Sequence, residues 1–158
     1  MILRDDEFEL ELLKDIGVEP IRSFQGEYRF LSNFYPAPVI YWGYQYPTVE
    51  HAYQAAKAQT HRDRELIRKA ETPGVAKRLG RQIRRRPWSY RERLDTMKLL
   101  VQRKFRHHPD LTAQLLATGD RELVEGNEWG DTFWGIYQGG GSNHLGRILM
   151  EVREELRR

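Results

Sequence analysis

From Thr48 onward, apolar residues recur at helical spacing, and start and stop signals stand beside them. Thr48 can cap a helix running to about Gln59, and a second helix is expected over Asp63–Ala70. Thr72-Pro73 opens a third, with Thr72 as cap, Pro73 at the first helical position and Gly80 as a left-handed stop. Ser89-Tyr90-Arg91-Glu92 reads as a capping box, and the helix behind it lines up Leu94, Met97, Val101 and Phe105. A further helix runs from near Asp110 to Gly119 and buries Leu111, Leu115 and Leu116. The last spans about Asn143 to Leu156, with Leu145, Ile148, Leu149, Val152 and Leu156 inward. Ahead of Thr48, residues 28–46 read as short strands, kept short by Pro36, Pro38 and Pro47. Pro38-Val39-Ile40-Tyr41 and Tyr44-Gln45-Tyr46 flank Trp42-Gly43, a hairpin turn. The expected fold class is α+β: a mainly helical single domain with a small antiparallel sheet.

Length and composition fit that expectation. A chain of 158 residues suits one domain, and 39% hydrophobic with 11% aromatic residues excludes disorder. The absence of cysteine excludes disulfides, thiolate metal sites and a thiol nucleophile. No apolar run approaches the roughly 20 residues that cross a bilayer. The acidic start, Met1 to Glu7, is unlike a signal peptide, so the expectation is a cytoplasmic protein with no membrane partner.

The net charge of +3 hides an uneven distribution. Residues 1–22 hold seven acids against three bases, and Asp6–Leu13 can form a short amphipathic helix with Phe8, Leu12 and Leu13 on one face. Residues 77–93 hold eight bases (Lys77, Arg78, Arg81, Arg84, Arg85, Arg86, Arg91, Arg93) against Glu92. Such a block attracts phosphate, on a small ligand or on nucleic acid; a solvated helix face explains it equally well.

Glu50, Gln54 and Lys57 fall at i, i+4 and i+7 and share one helix face. An acid, an amide and an amine on one stripe suit a polar pocket, although an exposed Glu and Lys flanking a Gln have the same spacing. Glu50 also lies in the first turn behind Thr48, where the helix dipole favours a carboxylate over an acid. Further on, Asp131 stands near Trp134 between Gly130 and Gly135, as in a ligand-lining loop or simply a turn beside a core Trp. Gly139-Gly140-Gly141-Ser142-Asn143 opens the last helix, whose N–H groups can meet an anion, or Asn143 can merely cap it. The five histidines, His51, His61, His107, His108 and His144, form no paired ligand motif. Neither a metal nor another cofactor is expected, and His51 reads as a supporting or surface residue.

Taken in order, these stretches resemble the NADAR (YbiA-like) family. Five blocks carry the resemblance. They are Glu27-Tyr28-Arg29-Phe30-Leu31-Ser32-Asn33-Phe34 with Tyr35-Pro36, then Tyr46-Pro47-Thr48-Val49-Glu50-His51-Ala52-Tyr53-Gln54-Ala55-Ala56-Lys57, then Thr72-Pro73 through Arg81 with Trp88 and Met97. Lys104-Phe105 with Leu115 to Gly119 and Leu123-Val124-Glu125 make the fourth, and Asp131 and Trp134-Gly135 with Gly141 to Met150 the fifth. The resemblance covers residues 24–157, so residues 1–22 are expected to be an acidic extension and residues 23–158 the domain.

The resemblance implies an N-glycosidase without a cofactor. One branch of the family hydrolyses riboflavin-pathway ribosylaminopyrimidine phosphates; another removes ADP-ribose from guanine in DNA. Implied functional residues are Glu50, Lys57, Trp88, Asp131, Trp134 and Asn143, and Arg29, Asn33 and Arg81 suit phosphate or ribose, with Gln54 beside them. Cleaving a ribosyl C–N bond builds positive charge on the sugar, which assigns Glu50 as stabiliser or base and Asp131 as second carboxylate. Lys57 either binds phosphate or attacks the opened sugar as an amine. Trp88 or Trp134 can stack on the base. The competing reading is a non-catalytic ADP-ribose or nucleic-acid binding module built on Arg84-Arg85-Arg86 and Trp88, which would not need Glu50, Lys57 and Asp131.

Overall fold

The structure is a computed structural model that describes residues 18–158. The helix expected over Asp6–Leu13 lies outside the described residues. The chain divides into two compact units, Gln25–Ala113 and a second in which residues up to Phe24 join Gln114–Arg158. No helix among the described residues is long and apolar enough to cross a membrane.

The first unit opens with a 3-10 helix, Gly26–Leu31, where the sequence suggested a strand. Phe30 and Leu31 are adjacent and both buried. A strand would send them to opposite faces. Strand β1 (Val39–Tyr41) then pairs antiparallel with β2 (Tyr44–Tyr46), in the register Val39↔Tyr46 and Tyr41↔Tyr44. The turn residues Trp42 and Gly43 have φ of 49° and 80°. Two positive φ values match the twist of a tight hairpin.

Four helices follow. Helix α1 is Val49–Ala56, and the Thr48 hydroxyl accepts the His51 N–H at its start. It stops before the expected Gln59, because Ala58 pairs with Arg85 and the Gln59 N–H goes to the Arg84 carbonyl. Helix α2, His61–Arg68, begins two residues early, since Thr60 caps it through the Asp63 N–H. Helix α3 is Pro73–Gln82, capped by Thr72 as expected. Gly80 does not end it. A Cβ there would lie 2.0 Å from the Gln54 oxygen, so the glycine serves the close approach of α3 to α1. Helix α4 is Tyr90–His107, with the Ser89 hydroxyl accepting the Glu92 N–H. Met97, Leu100, Val101 and Phe105 are its buried face, while Leu94 is only half-buried. Each large apolar side chain so buried contributes about 1.5–3 kcal/mol. Helix α1 is central, packing against α2, α3, α4 and both strands, and every residue of Val49–Ala56 is buried.

Helix α5 is Pro109–Ala117, followed by Gly119, the stop read from the sequence, which takes the left-handed φ of 63°. Leu111 and Leu115 are buried and Leu116 half-buried. In the second unit, Ile21 bridges in parallel to Leu123. Helix α6, His144–Leu156, buries Leu145, Ile148, Leu149 and Val152, with Leu156 half-buried.

Candidate active site

The structure turns the Glu50, Gln54, Lys57 stripe into a buried polar cluster. Glu50 is 7% exposed and Gln54 4%. Gln54 Nε2 donates to Glu50 Oε1 at 2.8 Å, and the Glu50 N–H donates to the Asn33 carbonyl at 3.1 Å. Gln54 Oε1 is buried with no hydrogen-bond partner and rests against Gly80. Lys57 caps the end of α1, and its ammonium lies 5.0 Å from the centre of the Tyr53 ring. Burial pushes the Lys57 amine down to about 8; Glu50 pulls it up, and Arg85, Arg93 and Lys77 push it down further. The site therefore holds a carboxylate beside an amine whose neutral form is accessible near neutral pH.

Support comes from around the helix. His51 is buried, its Nε2 facing the Ala70 carbonyl at 3.0 Å and its Nδ1 the Thr48 hydroxyl at 2.8 Å. A carbonyl only accepts, so Nε2 carries the proton and the ring ties α1 to the end of α2. Asn33 is buried, with its amide donating to Met97 Sδ at 3.4 Å. The Trp88 ring packs 5.4 Å from Tyr53 and has the Arg86 guanidinium 5.0 Å from its centre, so two protein groups already occupy it. Arg29 and Arg81 are exposed.

Sequence reasoning missed two supports. Tyr53 is 2% exposed and joins Lys57, Trp88 and Arg93. Lys104 is 1% exposed and donates to the Phe30 and Ser32 carbonyls at 2.6 and 2.9 Å. Its position beside Phe105, in the middle of an apolar stripe, is a signal that a charge there must be satisfied internally. Burial pushes its amine down to about 7.

Asp131, Trp134 and Asn143 belong to the second unit. Asp131 Oδ1 accepts the N–H groups of Phe133 and Trp134 at 3.0 and 2.9 Å, which fastens its own turn. Trp134 packs edge-on against Phe133. Asn143 is not a side-chain cap: with φ of 50°, its amide bonds the Leu123 carbonyl and the Glu125 N–H instead. Nor does the start of α6 offer an anion its free donors. The N–H groups of Ser142, Asn143, His144 and Leu145 all go to carbonyls of residues 132–135. Gly141 ahead of it serves chain crossing: a Cβ there would meet the Gly135 carbonyl at 2.3 Å.

Among the described residues no three His, Asp or Glu side chains are grouped to hold a metal. A hollow of about 440 Å³, lined by Ile40, Trp42, Gly43, Arg103 and His107, contains none of the catalytic or substrate-binding candidates read from the sequence.

Known proteins share this sequence pattern and fold. The NADAR domain model matches residues 22–157. The chain is 41% identical over 152 residues to a riboflavin biosynthesis protein of Vibrio vulnificus, covering 92% of this chain but 41% of that protein. It therefore spans less than half of that relative's length. It is 40% identical over 139 residues to N-glycosidase YbiA of Escherichia coli, covering 85% of each chain. The solved structure of E. coli YbiA superposes with a TM-score of 0.79 at 37% identity, over 89% of this chain and 86% of that one. By family model, sequence identity and shared fold alike, the chain belongs to the NADAR domain family.

Proposed function

We propose that the chain hydrolyses the C–N bond between a phosphorylated ribose and a nitrogen base. Its enzyme class, N-glycosidase, is that of its YbiA relatives in the NADAR family. The name of the Vibrio relative favours riboflavin-pathway ribosylaminopyrimidine phosphates as substrate, with ribose 5-phosphate and the free aminopyrimidine as products. ADP-ribosylated guanine, in nucleoside or DNA, is the second substrate class.

The observation that carries this reading is that a buried Glu50 and the partly desolvated amine of Lys57 share one face at α1, close enough for Glu50 to raise the amine's affinity for its proton. As the C–N bond breaks, C1 of the ribose becomes cationic, and the Glu50 carboxylate stabilises it or takes a proton from the attacking water. Gln54 holds that carboxylate in one orientation. In a covalent route, O4 of the ribose leaves C1 to open the ring as a C1 iminium of the base nitrogen. A neutral Lys57 adds to C1, the base nitrogen departs with a proton to leave a Schiff base on Lys57, and water hydrolyses that to the free sugar and the amine. Asp131 is the second candidate carboxylate of the proposal, and its turn uses only one of its two oxygens. Arg29, Asn33, Arg81, Trp134 and Asn143 are its candidate substrate contacts, while Trp88 serves by supporting Tyr53.

A product assay by mass spectrometry tests the proposal. Wild type and Glu50→Gln are offered a ribosylaminouracil phosphate, ADP-ribosylated guanosine and ADP-ribosylated DNA. Glu50-dependent ribose 5-phosphate from the first is the expected result. ADP-ribose release alone would move the substrate to the second class. No Glu50-dependent product from any of them would favour a binding module.

A further inference from the structure

We infer that Lys77, Arg85 and Arg93 form an anion subsite around Lys57 that takes the 5-phosphoryl group of the ribosyl substrate, leaving the Lys57 amine to the sugar. This deepens the N-glycosidase reading and rests on it. The shared ligand chemistry is a ribose with a 5-phosphoryl group, as a monoester or within the diphosphate of ADP-ribose.

Three segments bring cations to the end of α1. Helix α3 packs against α1 where Gly80 meets Gln54, and Lys77 lies one turn earlier on that face, its ammonium 5.9 Å from the Phe34 ring. The Ala58–Arg85 bridge and the Arg86 N–H on the Lys57 carbonyl (2.9 Å) hold Arg85 beside Lys57, and Arg85 Nε donates to the Gly80 carbonyl at 3.3 Å. Arg93, from the first turn of α4, lies close enough to act electrostatically on Tyr53, whose ring underlies the Lys57 ammonium. All three cations act on Lys57, with Glu50 as the opposing charge.

The neighbouring bases show what is unusual here. Arg86 reaches Glu92 at 3.2 Å, Arg68 reaches Glu65 at 2.6 Å and Arg91 reaches Asp95 at 3.3 Å. Among the described residues, Lys57, Lys77 and Arg85 have no carboxylate in ion-pair contact. A cluster of cations around one half-buried lysine costs repulsion unless a multivalent anion joins it. A phosphate dianion supplies that charge and accepts the planar guanidinium fork of Arg85. A neutral sugar does neither.

The test measures binding and turnover separately in wild type, Lys77→Met, Arg85→Gln and, as a control for surface charge, Arg106→Gln. Calorimetry with ribose 5-phosphate, ADP-ribose and ribose reads the subsite. Turnover of a ribosylaminopyrimidine phosphate and of its dephosphorylated nucleoside reads specificity. Wild type and Arg106→Gln should bind ribose 5-phosphate at least about tenfold more tightly than ribose. Lys77→Met and Arg85→Gln should each lose most of that preference and raise KM for the phosphorylated substrate by a clearly larger factor than KM for the nucleoside. Stronger binding of ADP-ribose than of ribose 5-phosphate would assign the diphosphate. If both variants keep the phosphate preference in binding and turnover, the subsite falls while the reaction stands. If no substrate is turned over but both variants lose ribose 5-phosphate binding, the reaction falls while the subsite stands.

Discussion

Gln54 holds Glu50 from one turn further along α1, donating to Oε1 at 2.8 Å, and is itself held from behind by the bare Cα of Gly80. Gly80→Ala puts a methyl 2.0 Å from the Gln54 oxygen, closer than atoms can stand. Alanine gains about 1 kcal/mol of helix propensity, and overpacking costs about 1–3 kcal/mol, so a net loss of up to about 2 kcal/mol is expected. Because the displaced amide releases Glu50, kcat should fall further than that loss of stability explains. Denaturant unfolding beside kinetics checks this; full activity in a destabilised variant would detach Gln54 from Glu50's role.

Lys57 gives the proposed reaction a pH signature. With its amine lowered to about 8, the neutral nucleophile grows as pH rises through that value. Accordingly kcat/KM should rise between pH 7 and 9. Lys57→Arg, which keeps the charge but stays protonated, should lose at least about 100-fold. Borohydride added during turnover should leave a ribosyl adduct on Lys57. Activity that falls through pH 8, together with an active Lys57→Arg, would make Lys57 a binding cation.

Lys104 is pinned inside the first unit by two carbonyls, with its amine at about 7 in the folded chain against 10.5 when unfolded. Between those values the unfolded chain binds more protons, so stability rises with pH across that window and its cost is fully felt below about 7. Lys104→Met has no such proton to lose. Unfolding free energies at pH 7 and pH 9 should show wild type gaining on Lys104→Met by more than about 1 kcal/mol. Parallel pH profiles would mean that the lysine is not held at so low a value.

Asp131 separates a structural oxygen from a chemical one. Asp131→Asn keeps an acceptor for the Phe133 and Trp134 N–H groups, so stability should stay within about 1 kcal/mol of wild type. Asp131→Ala removes that acceptor and should cost about 1–3 kcal/mol. If the second carboxylate serves the leaving nitrogen, both variants should lose turnover, by about 100-fold or more. An active Asp131→Asn with an unstable Asp131→Ala would leave the residue only its turn.

Much of the architecture was legible in the sequence, because caps and periodicity are local signals. Thr48, Thr72 and Ser89 start helices through side-chain bonds that span three residues, and Trp42-Gly43 turns the hairpin that its flanking strands required. The Glu50, Gln54, Lys57 stripe was legible for the same reason, since helical spacing alone puts the three on one face. Tertiary structure decided whatever depended on residues distant in sequence. Gly80 read as a stop and became a contact, because what it meets is Gln54 from another helix. Residues 28–31 read as a strand and became a 3-10 helix, with two carbonyls of that region held by Lys104 more than seventy positions away. The basic block of residues 77–93 read in sequence as one cluster of cations around a single acid, Glu92. Only folding separated Arg86, drawn to Glu92, from Lys77, Arg85 and Arg93, drawn up around Lys57. A sequence fixes which side chains share a helix face, through the period of the backbone; which faces meet, and which charges are left to face a ligand, depends on long-range packing that no local period encodes.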